Sequence, residues 1–194
     1  WRDFKKGTHT RYGIPFPDDL KQDQKFDSPI LTPTTKAEYG EHDEAISREE
    51  IVNGLVNPAI YEKAEEYALK LFNAGQKWAL KKGLILVDTK YEFGMIDGEL
   101  ILVDEVHTPD SSRYWIADEY ETRFAKGESQ KMLDKENIRQ WLLERGYSGD
   151  GEPPKITADI RTKLSQRYIE LYTQLTGQTF ETTIGSVEDR ILNN

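Results

Sequence analysis

Apolar positions along this chain switch from helical to alternating spacing and back again. Ile60, Ala64, Tyr67, Ala68, Leu71, Phe72, Trp78 and Ala79 form a helical stripe that predicts a helix over about 58–82. Asn57 before Pro58 supplies its cap and first residue, and Gly83 supplies its stop. Just upstream, Ser47-Arg48-Glu49-Glu50 reads as a capping box that opens a short helix. Two further helices are expected, Asp134–Arg145 closed by Gly146 and Thr157–Thr176 closed by Gly177. The second carries Ile160, Leu164, Tyr168, Leu171, Tyr172 and Leu175 on one side. Residues 1–36 read as short strands and loops, Lys36–Ser47 and 118–131 as polar loops, 148–154 as a linker, and 181–194 as a weakly patterned tail.

Alternation takes over at Leu84. In 84–93 the odd positions Ile85, Val87, Thr89, Tyr91 and Phe93 are expected on an apolar face, and Asp88, Lys90 and Glu92 on the other. A second run, ending in Val103-Asp104-Glu105, follows the glycine-bearing turn and completes an acidic hairpin over 84–106. Carboxylates in a sheet that should be buried are costly unless a cation or a substrate compensates them. A two-residue Asp97-Gly98 turn pairs Glu92 with Val103 and turns Asp104 away. A loop of odd length, or a bulge, brings Glu92, Lys90 and Asp104 onto one face, where two carboxylates can share Mg²⁺; this second register is the one expected here. The bland alternative is a solvated face with a Lys–Glu pair.

The order of strands, helix, hairpin and helices indicates an α+β fold with an antiparallel sheet and packed helices. The helices 58–82 and 157–176 are expected against the hairpin, with Phe93, Tyr91, Ile101, Val103, Leu71 and Tyr168 in the core.

Composition narrows the chemistry. With 37% apolar and 31% charged residues the chain suits a soluble globular protein, and no segment approaches a membrane span. A net charge of −9 argues against nonspecific nucleic-acid binding, and leaves any phosphate to local Arg, Lys or backbone donors and to metal. The absence of cysteine excludes disulfides, thiolate zinc sites and cysteine catalysis, and fits a reducing, cytoplasmic setting. The opening on Trp1, directly in a charged aromatic segment, is expected to be a cut inside a domain. Thr108-Pro109-Asp110-Ser111-Ser112-Arg113 offers hydroxyls, turn amides and one guanidinium, a set that suits a phosphate or simply caps a turn. His42-Asp43 reads as a base and its orienter, or as an ordinary loop hydrogen bond. No dinucleotide, Walker, zincin or nucleophile-elbow motif is present.

Four segments in order, TPTTKAEYGEHDEAIS (32–47), DTKYEFG (88–94), VDEVHTPDSSRYW (103–115) and DKENIRQWL (134–142), resemble the phosphoribosylaminoimidazole-succinocarboxamide synthase (SAICAR synthetase) family. The resemblance runs from Trp1 to about Phe180, so residues 1–180 are expected to form the larger, C-terminal part of a SAICAR synthase-like catalytic domain. It implies an N-terminal lobe, missing from this sequence, that covers the ATP phosphates. It also implies ATP-dependent amide ligation between carboxyaminoimidazole ribonucleotide and L-aspartate in purine biosynthesis, with ATP and Mg²⁺ as cofactors. By matching motif, Glu92 and Asp104 resemble Mg²⁺ and nucleotide ligands, and Lys36 a nucleotide-ribose contact. Lys90 would neutralise the transferring phosphoryl group or the substrate carboxylate. Ser112 and Arg113 resemble the site for the ribonucleotide 5′-phosphate. Asp110 would lie near the imidazole or its carboxylate, Asp43 would be a second active-site acid, Arg139 a substrate-side cation, and Asp88 a strand organiser. The rivals are a metal-dependent phosphohydrolase using the same carboxylates and a noncatalytic interaction module.

Overall fold

A computed structural model describes residues 1, 3–37, 43–133, 135–149, 151–182 and 185–192. The chain divides into two compact units, Trp1–Met132 and Leu133–Asn194, with the boundary inside the expected 1–180 part.

The first unit opens with two short strands, β1 (Thr10–Arg11) and β2 (Ile14–Pro15), paired antiparallel. An isolated bridge, Thr34 to Ala45, then closes the base of the loop that carries Lys36 and Asp43. Ser47 caps α1 (Arg48–Glu50) through the expected reciprocal box: its hydroxyl accepts the Glu50 N–H while the Glu50 carboxylate accepts the Ser47 N–H. The helix continues as a π-helical turn, Ile51–Leu55. Helix α2 (Pro58–Lys81) is capped by the Asn57 side chain, which accepts the Ala59 N–H at 2.9 Å.

The alternating region differs from its expectation in three ways. The expected strand 84–93 is two strands, β3 (Leu84–Thr89) and β4 (Glu92–Ile96), which part at Lys90-Tyr91 and take different partners. β4 pairs with β5 (Glu99–Val103), whereas β3 pairs with β6 (Ser112–Ile116), which starts inside the segment expected as a turn. Second, the buried residues of β3 are Leu84 and Leu86, the even positions rather than the odd. Leu86 faces Tyr114 and Leu84 faces Ile116 on β6, with α2 packed against β3, so the fully buried side chains of this unit's sheets lie under β3–β6 and not under the hairpin. Among the expected core residues, Phe93, Tyr91, Ile101, Val103, Leu71 and Tyr168 are each only half-buried. An open apolar hollow of about 270 Å³, lined by Tyr67, Lys70, Leu71, Phe93 and Leu102, separates part of α2 from the hairpin. Third, the segment expected as a polar loop over 118–131 begins with helix α3 (Ala117–Lys126), stopped by Gly127 in the left-handed conformation.

One irregularity in β3 sets the position of its charged end. The register runs Leu84–Ile116, Ile85–Trp115 and Leu86–Tyr114, then shifts so that Asp88 faces Arg113 and Thr89 faces Ser112. Val87 is the extra residue of this β-bulge.

The second unit holds α4 (Glu136–Leu143), α5 (Ala158–Thr176) and α6 (Val187–Leu192). Thr157 caps α5 by accepting the Ile160 N–H at 3.4 Å, and Gly177 ends it in the left-handed conformation, as the sequence implies. Leu133 and Leu171 are its fully buried side chains.

Candidate functional site

The hairpin register is the one set by the two-residue turn. Glu92 pairs with Val103, and Phe93, Gly94, Met95 and Ile96 follow in step to Glu99, so the expected odd-length loop is overturned. Asp97 (φ 50°) and Gly98 (φ 82°) are both left-handed, the backbone of a tight primed turn whose twist matches the strands. Alternation alone would carry Asp104 to the opposite face. β5, however, ends at Val103, and Asp104 itself adopts φ 68°. Outside the pleat its direction is no longer set by the strand, and its carboxylate lies close enough to Lys36 and Lys90 to help hold both ammonium groups charged.

Glu92 is the centre of this cluster. Lys36 Nζ donates to its Oε2 at 2.8 Å and Lys90 Nζ meets its Oε1 at 2.7 Å, so each carboxylate oxygen has an ammonium partner. These two contacts, above all the Lys36 hydrogen bond, hold the Glu92 carboxyl down at about 2. In return the Glu92 carboxylate raises both lysines above their ordinary value. Lys90 also comes within 4.0 Å of Asp43, whose other oxygen accepts the Ala37 N–H at 3.0 Å. Thus Lys36, Asp43, Lys90, Glu92 and Asp104, drawn from three segments, form one constellation. Glu92 is largely covered, with 20% of its side chain exposed, whereas Lys36 is 84% exposed. Among the described residues, no group of three or more His, Asp or Glu side chains gathers as a metal cage. His42 lies outside the described residues, and with it the expected His42–Asp43 pair.

The second cluster stands at the junction of β3 and β6. Arg113 Nε donates to Asp88 Oδ1 at 2.9 Å, and its Nη2 meets Oδ2, a side-on pair of contacts. Ser112 is buried, and its hydroxyl is shared with Thr89 Oγ1 at 2.8 Å and Ser111 Oγ at 3.3 Å. Its side chain is therefore committed to the sheet rather than offered outward. Asp110 is exposed at the tip of the same loop. Arg139 belongs to α4 in the second unit, where it pairs with Glu136 at 3.6 Å.

Sequence reasoning missed the anchor of this loop. His107 has φ 57°, and its Nε2 lies 2.5 Å from the Tyr91 hydroxyl while its carbonyl accepts the Tyr114 hydroxyl at 2.8 Å. Burial lowers the His107 pKa and so favours the neutral ring, whose Nε2 shares a hydrogen bond with the Tyr91 hydroxyl. Burial also raises both tyrosines, Tyr114 to about 12, so the hydroxyls stay protonated. Gly75 of α2 gives the ring its room: a Cβ there would come 2.8 Å from His107 Nδ1 and from Leu86 Cδ2. A glycine inside a helical stripe was the available signal.

Two charged clusters stand on neighbouring strand ends, one rich in carboxylates and ammonium groups and one built on a guanidinium, the kinds of group that can hold an anion and a cation. The family model for SAICAR synthetase matches residues 1–155, and the chain belongs to that family. It is 50% identical, along its whole length, to the phosphoribosylaminoimidazole-succinocarboxamide synthase of Bacteroides thetaiotaomicron, and covers 63% of that protein. The chain thus spans less than two thirds of such relatives. Among solved structures it is similar to a SAICAR synthase from Saccharomyces cerevisiae complexed with SAICAR, at a TM-score of 0.74 and 38% identity over 94% of this chain and 57% of that one. It is also similar to a Type-2 SAICAR synthetase in complex with ADP, at a TM-score of 0.59 and 28% identity over 84% of this chain and 57% of that one.

Proposed function

We propose that this chain carries the larger part of the site at which carboxyaminoimidazole ribonucleotide is joined to L-aspartate, with conversion of ATP to ADP and phosphate. The observation that carries the reading is the double ammonium clamp on Glu92 beside Asp104, in a family whose relatives are named for SAICAR synthesis. Similar solved structures are complexed with SAICAR and with ADP, which supports a site for nucleotides.

A carboxylate is a poor acyl donor, so phosphoryl transfer from ATP to the substrate carboxylate gives an acyl phosphate and ADP. The aspartate amine then attacks the acyl carbon, phosphate leaves, and the amide forms with loss of a proton. Such chemistry asks the protein mainly for positioning and charge. Lys36 and Lys90, held by Glu92 before substrate arrives, can turn toward phosphate oxygens, Lys36 with the least hindrance because it is the more exposed. Arg113, already oriented by Asp88, would take the ribonucleotide 5′-phosphate, and Asp110 would face the imidazole side. Asp43 would hold Lys90 in line, and Arg139 is proposed as a substrate-side cation on its motif alone.

The donors fit Mg²⁺, which takes one or two carboxylates and completes its shell with substrate phosphates and water. Glu92 and Asp104 would hold it, and when bound it supplies neutralisation of phosphate charge.

The test is ADP formation by this chain joined to the remaining length found in its relatives, with ribonucleotide and Mg-ATP present and aspartate added or withheld. Aspartate-dependent ADP release is the expected result. Phosphate release indifferent to aspartate would replace the ligase with a phosphohydrolase, and no saturable nucleotide binding would leave an interaction module.

A further inference from the structure

The loop between the two clusters has a hydroxyl at its centre. Thr108 Oγ1 donates to the Glu105 carboxylate, accepts the Ser111 N–H at 3.2 Å and the Asp110 N–H at 3.3 Å, and lies 3.3 Å from Ser111 Oγ. Its carbonyl accepts the Ser112 N–H at 2.9 Å, and the Ser111 carbonyl accepts the Lys90 N–H at 3.2 Å. Hydroxyls then pass from Ser111 to Ser112 and on to Thr89 of β3. Glu105 follows Asp104 directly, and Arg113 follows Ser112 directly, so this one side chain ties the end of the hairpin to the start of β6.

We infer that Thr108 and Glu105 are positioning residues: the Thr108 hydroxyl folds the 108–111 turn onto Glu105 and so sets where Asp110 and Arg113 stand relative to Asp104. The inference rests on the ligase reading for the identity of the substrate, but the geometry is independent of it. A hydroxyl that donates to a carboxylate and accepts two backbone N–H groups has spent its hydrogen-bonding capacity inside the protein. It is not a phosphate ligand, although its loop is rich in groups that suit one. The fold does not hang on it, because His107, the preceding residue, is separately fastened by Tyr91, Tyr114 and the space over Gly75. Removing the hydroxyl therefore frees the turn while the core under it stays in place.

The test compares Thr108→Val, of similar shape without the hydroxyl, with Thr108→Ser, which keeps it, both in the length its relatives have. Thr108→Val is expected to raise KM for the ribonucleotide about tenfold, the effect of losing a hydrogen bond to a charged group, and to leave KM for ATP within about twofold. Thr108→Ser should restore the wild-type value. Amide hydrogen exchange should show protection lost at Asp110 and Ser111 in the valine variant alone. Glu105→Leu should give the same split, and the double variant should be no worse than either single one. An unchanged ribonucleotide KM with an active wild type overturns the inference, as does an equal rise for all substrates, or failure of serine to rescue. Unfolding of both Thr108→Val and Glu105→Leu would make the pair a stability element and overturn it too. A wild type without aspartate-dependent turnover sinks the ligase reading instead, and the exchange experiment still reads the turn.

Discussion

Asp88 and Arg113 stand opposite each other on β3 and β6, joined side-on through two contacts between guanidinium and carboxylate. Such a pair fixes the plane of the guanidinium before any ligand arrives, which lowers the ordering cost of binding a phosphate. Both side chains are nearly half exposed, so the contact itself adds little to stability. Its value lies in orientation.

Arg113→Ala should therefore raise KM for the ribonucleotide by roughly tenfold or more, with a much smaller change for ATP. Asp88→Asn, which keeps an acceptor oxygen in place, should cost only a few-fold on the order expected for a neutral hydrogen bond. Steady-state kinetics with each substrate varied in turn measures both. An equal rise for ATP in Arg113→Ala would place that side chain elsewhere.

Asp104→Asn should lower turnover by at least about tenfold while the thermal melt stays near wild type. A charged ligand is lost, yet asparagine accepts the left-handed backbone that Asp104 adopts at φ 68°. Full activity in this variant would remove Asp104 from the metal and nucleotide assignment.

Glu92 predicts a pH dependence. Its folded value, about 2, lies below its ordinary 4.5, so the unfolded chain takes up the proton first. The clamp with Lys36 and Lys90 thus contributes stability that is fully present above about pH 4.5 and is lost as pH falls from there toward 2. Denaturant titrations across this window should show a shallower acid slope in Glu92→Gln than in wild type. Parallel slopes would show that the carboxylate is not held by the two lysines in solution.

Gly75→Ala tests the loop anchor. The added methyl meets the His107 ring and Leu86, an overpacking cost of about 1–3 kcal/mol that exceeds the roughly 1 kcal/mol alanine gains over glycine in a helix. A lowered melting temperature is expected. A raised one would mean that the helix preference wins and that His107 has room to move.

The parts of the fold written in local chemistry were legible. Ser47 with Glu50, Asn57 with Pro58, Thr157 and Gly177 mark helix ends through contacts a few residues apart, and the helices stand where those residues put them. The exchange of partners at Lys90-Tyr91 was not legible, because it depends on β6, whose short run SRYWI follows a loop without strong alternation. α3 escaped for a different reason: its surface is polar, and its signs were the Tyr120–Phe124 spacing, acids in the first turn, bases in the last and Gly127 beyond. Lys36, Asp43, Lys90, Glu92 and Asp104 were named together from their motifs, and they do gather. The route by which Asp104 joins them, leaving the strand by a left-handed residue instead of changing the hairpin register, could not be read from alternation.

Val87 gives β3 a length that matters more than its spelling. Were β3 to run straight through that residue without the bulge, Val87 would face Arg113 and Asp88 would face Ser112, leaving the guanidinium opposite an aliphatic neighbour. Exchanging one aliphatic for another there would leave the frame intact, whereas straightening the strand at its present length would undo the charge matching at its end. It is thus the kink in the backbone, and not the side chain that occupies it, that seats the acid across from the base.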